Sequence, residues 1–170
     1  DKVWHELAFG LESLGYDTPT IRRRVAEMAS FFGIQTWFYK SVTELSGGQK
    51  QLLNLASVMV LQPKVLILDE PTSQLDPIAA SDFLATLGKI NRELGTTIIL
   101  TEHRLEEAFS FASRVAVMDG GRLLCSGTPA AVGAELKSSG NAMFLAMPAA
   151  MRIWAASDSK ATCPISVCDG

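Results

Sequence analysis

The first third of the chain has the apolar spacing of helices. Leucines recur at every third or fourth position in VWHELAFGLESL, which predicts a helix over residues 3–14. Thr18 and Pro19 begin a second helix that continues over 21–32, because proline fits the first helical turn. The apolar spacing of KQLLNLASVMVL predicts a third helix over 50–61.

Short apolar runs bounded by turn residues follow, and they are typical of strands. They are VLILDE (65–70), TTIILTEH (96–103) and VAVMD (115–119). Helices predicted over 77–94 and 104–113 separate them, and a Gly-Gly turn leads from the last run into a hairpin partner at 122–127. The first two runs are continuously apolar, which predicts buried strands, the first of them parallel and central. Strands that alternate with helices indicate an α/β layered domain with right-handed crossovers.

Composition and charge narrow the class of protein. Hydrophobic residues make up 48% and charged residues 19% of the chain, which is typical of a globular domain and argues against disorder. The net charge of −3 argues against free nucleic acid as a partner. The apolar runs fall short of the roughly 20 residues that span a bilayer.

The cysteines indicate a reducing compartment. Cys125, Cys163 and Cys168 are few and odd in number, which does not suit a disulfide framework. The C-x₄-C spacing of the last two could hold a metal ion. However, no histidine lies near them in the sequence, so plain thiols are the favoured interpretation.

The stretch LSGGQ places two glycines where the third helix begins. Ser46 and Gln49 have the S-x-x-Q spacing of a capping box, in which each side chain bonds the backbone N–H of the other residue. The first turn of such a helix presents unpaired N–H groups and the positive end of the helix dipole. Because Gly47 and Gly48 have no side chains, an anion can reach this backbone. An ordinary capped helix is the alternative interpretation of these five residues.

VLILDE delivers two carboxylates to the carboxyl end of a strand, where open α/β sheets bind ligands. Asp69 and Glu70 are neighbours, so strand alternation predicts that they point to opposite faces and serve different purposes. One could hold Mg²⁺, directly or through a water, and the other could orient or deprotonate a water. Two solvated acids at a strand end are the alternative.

His103 ends the next apolar run. Adjacent parallel strands bring their carboxyl ends together, so we expect His103 to lie near Glu70. A neutral imidazole there could bridge a phosphate oxygen and a water. A histidine with a purely structural role is the alternative.

The motifs occur in one order, LSGGQ, then VLILDEPTSQLD, then TEH. In this order they resemble the nucleotide-binding domain of ATP-binding cassette (ABC) proteins, over roughly residues 3–132. LSGGQ is similar to the signature motif of that family, VLILDE to its Walker B motif and SQLD to its D-loop. His103 is similar to its switch histidine.

The resemblance implies an α/β fold, namely a P-loop NTPase-like ABC cassette with a RecA-like parallel sheet and an α-helical subdomain. An ABC ATPase domain would then cover residues 1–134, with the helical subdomain at about 1–62 and the catalytic core at about 63–134. Residues 135–170 would form a linker or tail. Its structure is not predicted, because the apolar pattern weakens from about residue 137.

The resemblance also implies roles for single residues and two cofactors, ATP and Mg²⁺. Asp69 would support Mg²⁺ through a water, and Glu70 would activate the water that attacks ATP. His103 would contact the γ-phosphate, and Asp76 in the D-loop would communicate across a dimer interface. The signature residues that would bind the nucleotide of a partner domain in trans are Ser46, Gly47, Gly48 and Gln49.

A narrower resemblance points to one class of transporter. VWHELAFGLESLG together with DGGRLLCSGTPAAV is similar to the ATPases of energy-coupling factor (ECF) transporters, which take up vitamins and transition-metal ions. It implies an ATP-hydrolysing subunit at the cytoplasmic face of the membrane that drives transport through transmembrane subunits. The other partner would be a second ABC ATPase domain, either a separate chain or fused in tandem, because MPAAMRIWAA resembles the linker between fused halves.

The phosphate-binding pattern G-x-x-x-x-G-K-[ST] of this family does not occur in the sequence. The Q-loop glutamine and the adenine-stacking aromatic residue of the family are also missing. We therefore expect a cassette that is incomplete at its N-terminus, binds ATP poorly and is inactive alone. Loss of the first strands would leave apolar faces of VLIL and IILT uncovered, so aggregation or partial stability is expected.

Two other functions are open on the sequence. A soluble ABC ATPase of DNA repair or translation would share the fold, although neither long heptad arms nor a charged helical insertion is visible. A module that only supplies LSGGQ to a partner is the other alternative. Asp69, Glu70 and His103 argue against it for the parent protein, because such a module does not need them.

Overall fold

The computed structural model describes residues 2–157 and 162–166. The chain divides into two compact units, Asp1–Thr101 and Glu102–Gly170. The boundaries of the helical subdomain and of the catalytic core remain predictions. In the part of the chain described, no helix combines the length and the apolar character that crossing a bilayer requires.

The first unit contains helices and a short parallel sheet. Its elements are α1 (Val3–Ser13), α2 (Thr18–Phe31), α3 (Gly47–Met59), β1 (Val65–Asp69), α4 (Pro77–Leu94) and β2 (Thr97–Thr101). Two 3-10 turns, Gln35–Trp37 and Val42–Glu44, lie between α2 and α3. The helices and strands predicted for this region are confirmed, and most of their ends agree within a few residues.

Local side-chain chemistry explains where α2 and α4 begin and end. The Asp17 carboxylate accepts a hydrogen bond from the backbone N–H of Thr20 at 2.7 Å, which caps α2. This bond holds the pKa of Asp17 below its ordinary value. Asp76 caps α4, and Gly95 ends it at a φ of 69°, a left-handed conformation that glycine adopts without strain.

β1 and β2 pair in parallel, with Asp69 opposite Thr101. One face of the pair carries the buried Leu66, whereas Ile67 and its partner Ile99 on the other face are 73% and 53% exposed. The prediction of fully buried strands is therefore wrong for this face, which instead matches the expectation of uncovered apolar residues. β1 is also not central, because the described residues add no third strand to this sheet. By strand alternation, Asp69 and Thr101 lie on the exposed face.

One hydrophobic core joins the helices of the first unit to its sheet. Its fully buried large side chains include Leu7, Leu11, Ile34, Met59, Leu84, Leu87 and Ile90. Leu66 of β1 belongs to the same cluster. Burial of each such side chain contributes about 1.5–3 kcal/mol. The elements that carry LSGGQ and the acidic pair are thus held by the same core.

The second unit is organised around an antiparallel hairpin. Its elements are α5 (Leu105–Phe111), β3 (Val115–Asp119), β4 (Arg122–Gly127), α6 (Pro129–Ser138), a 3-10 segment (Ala142–Ala146) and α7 (Ala149–Ala156). β3 and β4 pair with a bulge between Val117 and Met118, which confirms the predicted hairpin. Among the described strands, β3 pairs with β4 alone and does not extend the parallel sheet.

The tail, for which the sequence predicts no element, contributes to the core of the second unit. Met147, Met151 and Cys163 are buried in one cluster with Val117 of β3 and Val132 of α6. The 3-10 segment and α7 therefore pack onto the hairpin and α6 as part of a folded unit.

Two cysteines are buried in this second core. Burial raises the pKa of the Cys125 thiol and of the Cys163 thiol above the ordinary value. Both are free thiols. Cys168, the other member of the C-x₄-C pair, lies outside the described residues.

Candidate functional site

The first turn of α3 is capped by side chains of the LSGGQ stretch. The Ser46 hydroxyl accepts a hydrogen bond from the Gln49 backbone N–H at 3.2 Å. In return, Gln49 Oε1 accepts one from the Ser46 backbone N–H at 3.0 Å. This reciprocal pair confirms the predicted capping box and fixes both polar side chains of LSGGQ at the helix end.

The two glycines of LSGGQ have different surroundings. A Cβ at Gly48 would lie 3.4 Å from the Cβ of Ala79 in α4, an ordinary van der Waals distance, so the beginnings of the two helices are in contact there. A Cβ at Gly47 would meet no atom within 4 Å. Neither packing nor a positive φ requires glycine at position 47, although glycine weakens a helix by up to about 1 kcal/mol relative to alanine. The space beside the Gly47 backbone is therefore open, as an approaching anion would require.

One hydroxyl group connects the two strands at the carboxyl end of the parallel pair. Thr101 Oγ1 donates a hydrogen bond to Asp69 Oδ1 at 2.5 Å. The Glu70 backbone N–H donates to the same Oγ1 and to the Thr101 carbonyl oxygen, at 3.1 Å each. Thr101 therefore contacts both residues of the predicted acidic pair.

Glu70 leaves the strand instead of extending it. β1 ends at Asp69, and Glu70 has a φ of 44°, in the left-handed region that residues with a side chain rarely adopt. Strand alternation therefore does not set the direction of the Glu70 side chain, because Glu70 lies beyond the strand, in a turn whose backbone is bonded to Thr101, and the prediction that the two acids point to opposite faces stays a prediction. Such a conformation costs on the order of 1–3 kcal/mol and is found most often at functional sites.

A hydrogen bond connects the LSGGQ helix to the turn after Glu70. Gln51 Nε2 in α3 donates to the Pro71 carbonyl oxygen at 3.0 Å. Thr72 in the same turn is completely buried. The beginning of α3 and the acidic pair are therefore parts of one packed structure.

The predicted D-loop residue Asp76 lies at the N-terminal end of α4. Its Oδ1 accepts hydrogen bonds from the backbone N–H groups of Ile78 and Ala79, at 3.0 Å each. Ala79 is also the residue that Gly48 approaches. The beginnings of α3 and α4 thus adjoin, and Asp76 lies at the same end of the helix pair as LSGGQ.

His103 belongs to the second unit and is exposed in the turn before α5. Glu102 shapes this turn, since its Oε2 accepts from the backbone N–H groups of His103 at 2.9 Å and Arg104 at 3.4 Å. Arg104 and Arg152 also line a cavity of about 290 Å³ that His103 borders. The strands that precede Glu70 and His103 end side by side, but the proximity of these two side chains remains a prediction.

The first unit brings together all the predicted site residues except His103. It also contains two residues that the motifs did not indicate, Thr101 and Gln51, whose hydrogen-bond partners lie 32 and 20 positions away. A signal existed for Thr101 alone, because a hydroxyl residue ending a strand parallel to β1 comes to lie opposite Asp69. No local pattern marks the contact of Gln51.

The acidic pair fits a metal ion that is held jointly with phosphates. Asp69 Oδ1 is bonded to Thr101, so Oδ2 is the oxygen that could face Mg²⁺ or a water bound to it. Within residues 2–157 and 162–166, no three His, Cys, Asp or Glu side chains are grouped as a metal site. Mg²⁺ commonly uses one or two carboxylates and completes its shell with waters and phosphates, which suits this sparse set.

Comparison with known proteins identifies relatives in one family. The sequence profile of the family described as ABC transporter matches residues 3–73. A protein of Bacillus anthracis named as an ABC transporter ATP-binding protein is 54% identical over 136 residues, which make up 80% of this chain and 25% of that protein. The energy-coupling factor transporter ATP-binding protein EcfA1 of Caldanaerobacter subterraneus is 41% identical over 137 residues, 79% of this chain and 48% of that protein.

A solved structure has the same fold. It is cbiO1 from Clostridium perfringens, described as part of the ABC transporter complex cbiONQ, with a TM-score of 0.74 and 35% sequence identity. The likeness covers 89% of this chain and 60% of that chain. The chain thus spans about a quarter of the length of the Bacillus relative and about half of the Caldanaerobacter relative. The profile match includes LSGGQ, Asp69 and Glu70.

Proposed function

Because this chain belongs to the ATP-binding proteins of ABC transporters, we propose that the protein containing it binds and hydrolyses ATP and couples hydrolysis to transport across a membrane. The observation that carries the proposal is the bond from Gln51 in α3 to the turn that follows Asp69 and Glu70. This bond joins two features in one packed structure. The first is a helix N-terminus that suits a phosphate, and the second is a pair of acids that suits Mg²⁺ and a water.

The two acids take different roles in this proposal. Asp69 would hold Mg²⁺ through Oδ2 or a water, and the chemistry supplied there would be neutralisation of the charge on the phosphate oxygens of ATP. Glu70 accepts a proton from the attacking water. Its backbone is fixed by Thr101 while its side chain is exposed, which leaves the carboxylate accessible to that water.

The glycines of LSGGQ act on a different nucleotide. We place their N–H groups against the γ-phosphate of ATP bound to a second ATP-binding domain, with Asp76 communicating across that interface and His103 contacting the γ-phosphate of its own site. The sequence contains no G-x-x-x-x-G-K-[ST].

The transporter class proposed is an uptake system of the ECF type for a vitamin or a transition-metal ion. The name of the Caldanaerobacter relative and the membership of cbiO1 in a transporter complex support it. The partners would be transmembrane subunits, with this protein at the cytoplasmic face of the membrane. Purification of the tagged full-length protein from detergent-extracted native membranes tests this: polytopic subunits should co-purify, and their consistent absence would contradict it.

The substitution Glu70→Gln in the full-length protein tests the proposed hydrolysis. Glutamine keeps the size of the side chain but cannot act as the base, so turnover should fall by about 10²–10⁴-fold while ATP binding is retained. Glu93→Gln, at the exposed C-terminal end of α4, is the matched control and should keep wild-type turnover. Near-normal turnover of the Glu70→Gln protein would remove Glu70 from the role of base.

A further inference from the structure

Thr101 is bonded to both acidic residues of the proposed site, although no motif assigns it a role. It is the last residue of β2 and lies opposite Asp69 in the parallel register. Its side chain and its carbonyl group together make three hydrogen bonds, one to Asp69 and two to Glu70. These contacts lie entirely within the first unit.

The direction of each bond fixes the orientation of the hydroxyl group. A hydroxyl has a single proton, and the proton of Thr101 is directed to Asp69 Oδ1 at 2.5 Å. A lone pair of the same oxygen must then accept the hydrogen bond from the Glu70 backbone N–H, with 3.1 Å between the nitrogen and Oγ1. A group that donates on one side and accepts on the other is polarised by both partners, which strengthens each bond.

Both bonds constrain atoms that matter for the proposed chemistry. Because Asp69 Oδ1 is bonded to the Thr101 hydroxyl of β2, rotation of the carboxylate is restricted. Oδ2 is then the oxygen available to a metal. Oγ1 and the carbonyl oxygen of Thr101 both accept a hydrogen bond from the Glu70 backbone N–H. These bonds offset the conformational cost of the φ of 44° at Glu70. The starting direction of the Glu70 side chain therefore depends on Thr101.

We propose that Thr101 is a positioning residue of the Mg²⁺·ATP site, which orients the Asp69 carboxylate for the metal and holds Glu70 in its left-handed conformation. The inference rests on the proposed function. Ligating carboxylates are commonly oriented by hydrogen bonds of this kind, and the loss of such a partner typically lowers metal affinity or activity by about 10–100-fold.

Three variants of the full-length protein separate positioning from a structural role. Thr101→Val keeps the shape of the side chain and removes the hydroxyl, whereas Thr101→Ser keeps the hydroxyl. Thr97→Val is the matched control, because Thr97 is an exposed threonine of the same strand and, four residues away, of the same face.

The measurement is Mn²⁺ affinity in the presence of ATP, read by electron paramagnetic resonance of the free ion, with Mn²⁺ as the probe for Mg²⁺. We expect Thr101→Val to weaken Mn²⁺ binding by about 10-fold or more, and the other two variants to stay within about two-fold of wild type. ATP affinity measured in EDTA should be equal in all four proteins, because no metal is then present to be oriented.

Each contrary result has a distinct meaning. Wild-type Mn²⁺ affinity in Thr101→Val, or equal weakening in Thr101→Ser, would overturn the positioning role alone. A matching loss of ATP affinity in EDTA would also overturn it, since it would show a general structural defect. If the wild-type protein itself shows no ATP-dependent Mn²⁺ binding, the proposed function is overturned, and the role of Thr101 with it.

Discussion

Gly47 begins α3 at a position where neither its φ nor any neighbouring atom requires glycine. Alanine would favour the helix by up to about 1 kcal/mol. In the proposed function, a methyl group there would hinder an anion that approaches the first N–H groups of the helix. We therefore propose that a ligand, and not the fold, is the reason for this glycine.

Gly47→Ala should separate stability from activity. We predict unchanged or higher thermal stability but ATP turnover lower by about ten-fold or more, because the phosphate can no longer approach the backbone closely. Gly88→Ala in α4 is the control, since its Cβ would meet only the flexible end of Arg92, at 3.1 Å. That variant should gain stability and keep its turnover. Wild-type turnover of Gly47→Ala would contradict the role of this backbone.

The buried thiols of Cys125 and Cys163 lead to the prediction that the free energy of unfolding falls at alkaline pH. Burial raises the pKa of both thiols, and the nearby Glu135 carboxylate acts in the same direction on Cys125. At high pH the unfolded chain releases thiol protons that the folded chain retains, so this stabilisation is complete below the ordinary thiol pKa of about 8.5 and is lost as pH rises through the folded-state value.

Denaturant unfolding at about pH 7 and about pH 10 measures this effect. The free energy of unfolding should fall between the two conditions, and it should fall less in the double variant Cys125→Ala/Cys163→Ala. That variant carries the other titrating groups unchanged, so the difference reports the thiols. An equal fall in the two proteins would contradict the raised pKa values.

Elements whose ends depend on local chemistry could be predicted from the sequence. α4 runs from Pro77 to Leu94 as predicted, because Asp76 caps one end and Gly95 closes the other. β3 and β4 keep their predicted ranges on either side of a two-glycine turn. The capping box of α3 was predictable for the same reason, since its partners are three residues apart.

Features that depend on distant partners could not be predicted in the same way. The turn at Glu70 is held by Thr101, and its φ follows from a contact 31 positions away. The bond from Gln51 to Pro71 joins two elements through a side chain that no motif singles out. The tail helix α7 is short and preceded by Pro148, so its packing against the hairpin is a tertiary effect.

The capping of α4 leads to a prediction about Asp76. Asp76→Ala removes the acceptor for two backbone N–H groups and should destabilise the protein by about 0.5–2 kcal/mol. Asp76→Asn retains a side-chain oxygen and most of that stability, but both variants should lower ATP turnover if the carboxylate acts across a dimer interface. Urea unfolding and a turnover assay on both proteins check this. An Asn variant as unstable as the Ala variant would contradict the capping role.

At the scale of the whole molecule, the uncovered face of β1 and β2 is the most exposed apolar part of the sheet. Val65, Ile67 and Ile99 are all more than half exposed on a parallel pair to which the described residues add no further strand. Exposed apolar strands are surfaces on which chains associate. The face also carries Asp69 and Thr101 at its carboxyl end, so whatever covers these apolar residues borders the proposed site.

We predict that the isolated 170-residue chain self-associates through this face. Ile67→Thr and Ile99→Thr should reduce association, because threonine keeps a β-branched side chain but is polar. Ile78→Thr, an equally exposed isoleucine at the start of α4, should not reduce it. Sedimentation velocity at several concentrations measures the difference. Equal association of all three variants, or a monomeric parent chain, would contradict the prediction.

We propose that this chain contributes to two nucleotide sites, with Glu70 acting in the site of its own domain and Gly47 completing that of a second domain. The direct measurement is the labelled ATP that the full-length Glu70→Gln protein retains through rapid gel filtration in Mg²⁺. We expect stable retention, and loss of retention when Gly47→Glu is added, because a carboxylate there would repel the γ-phosphate. Absence of retained ATP in Glu70→Gln, or equal retention in the double variant, would contradict it.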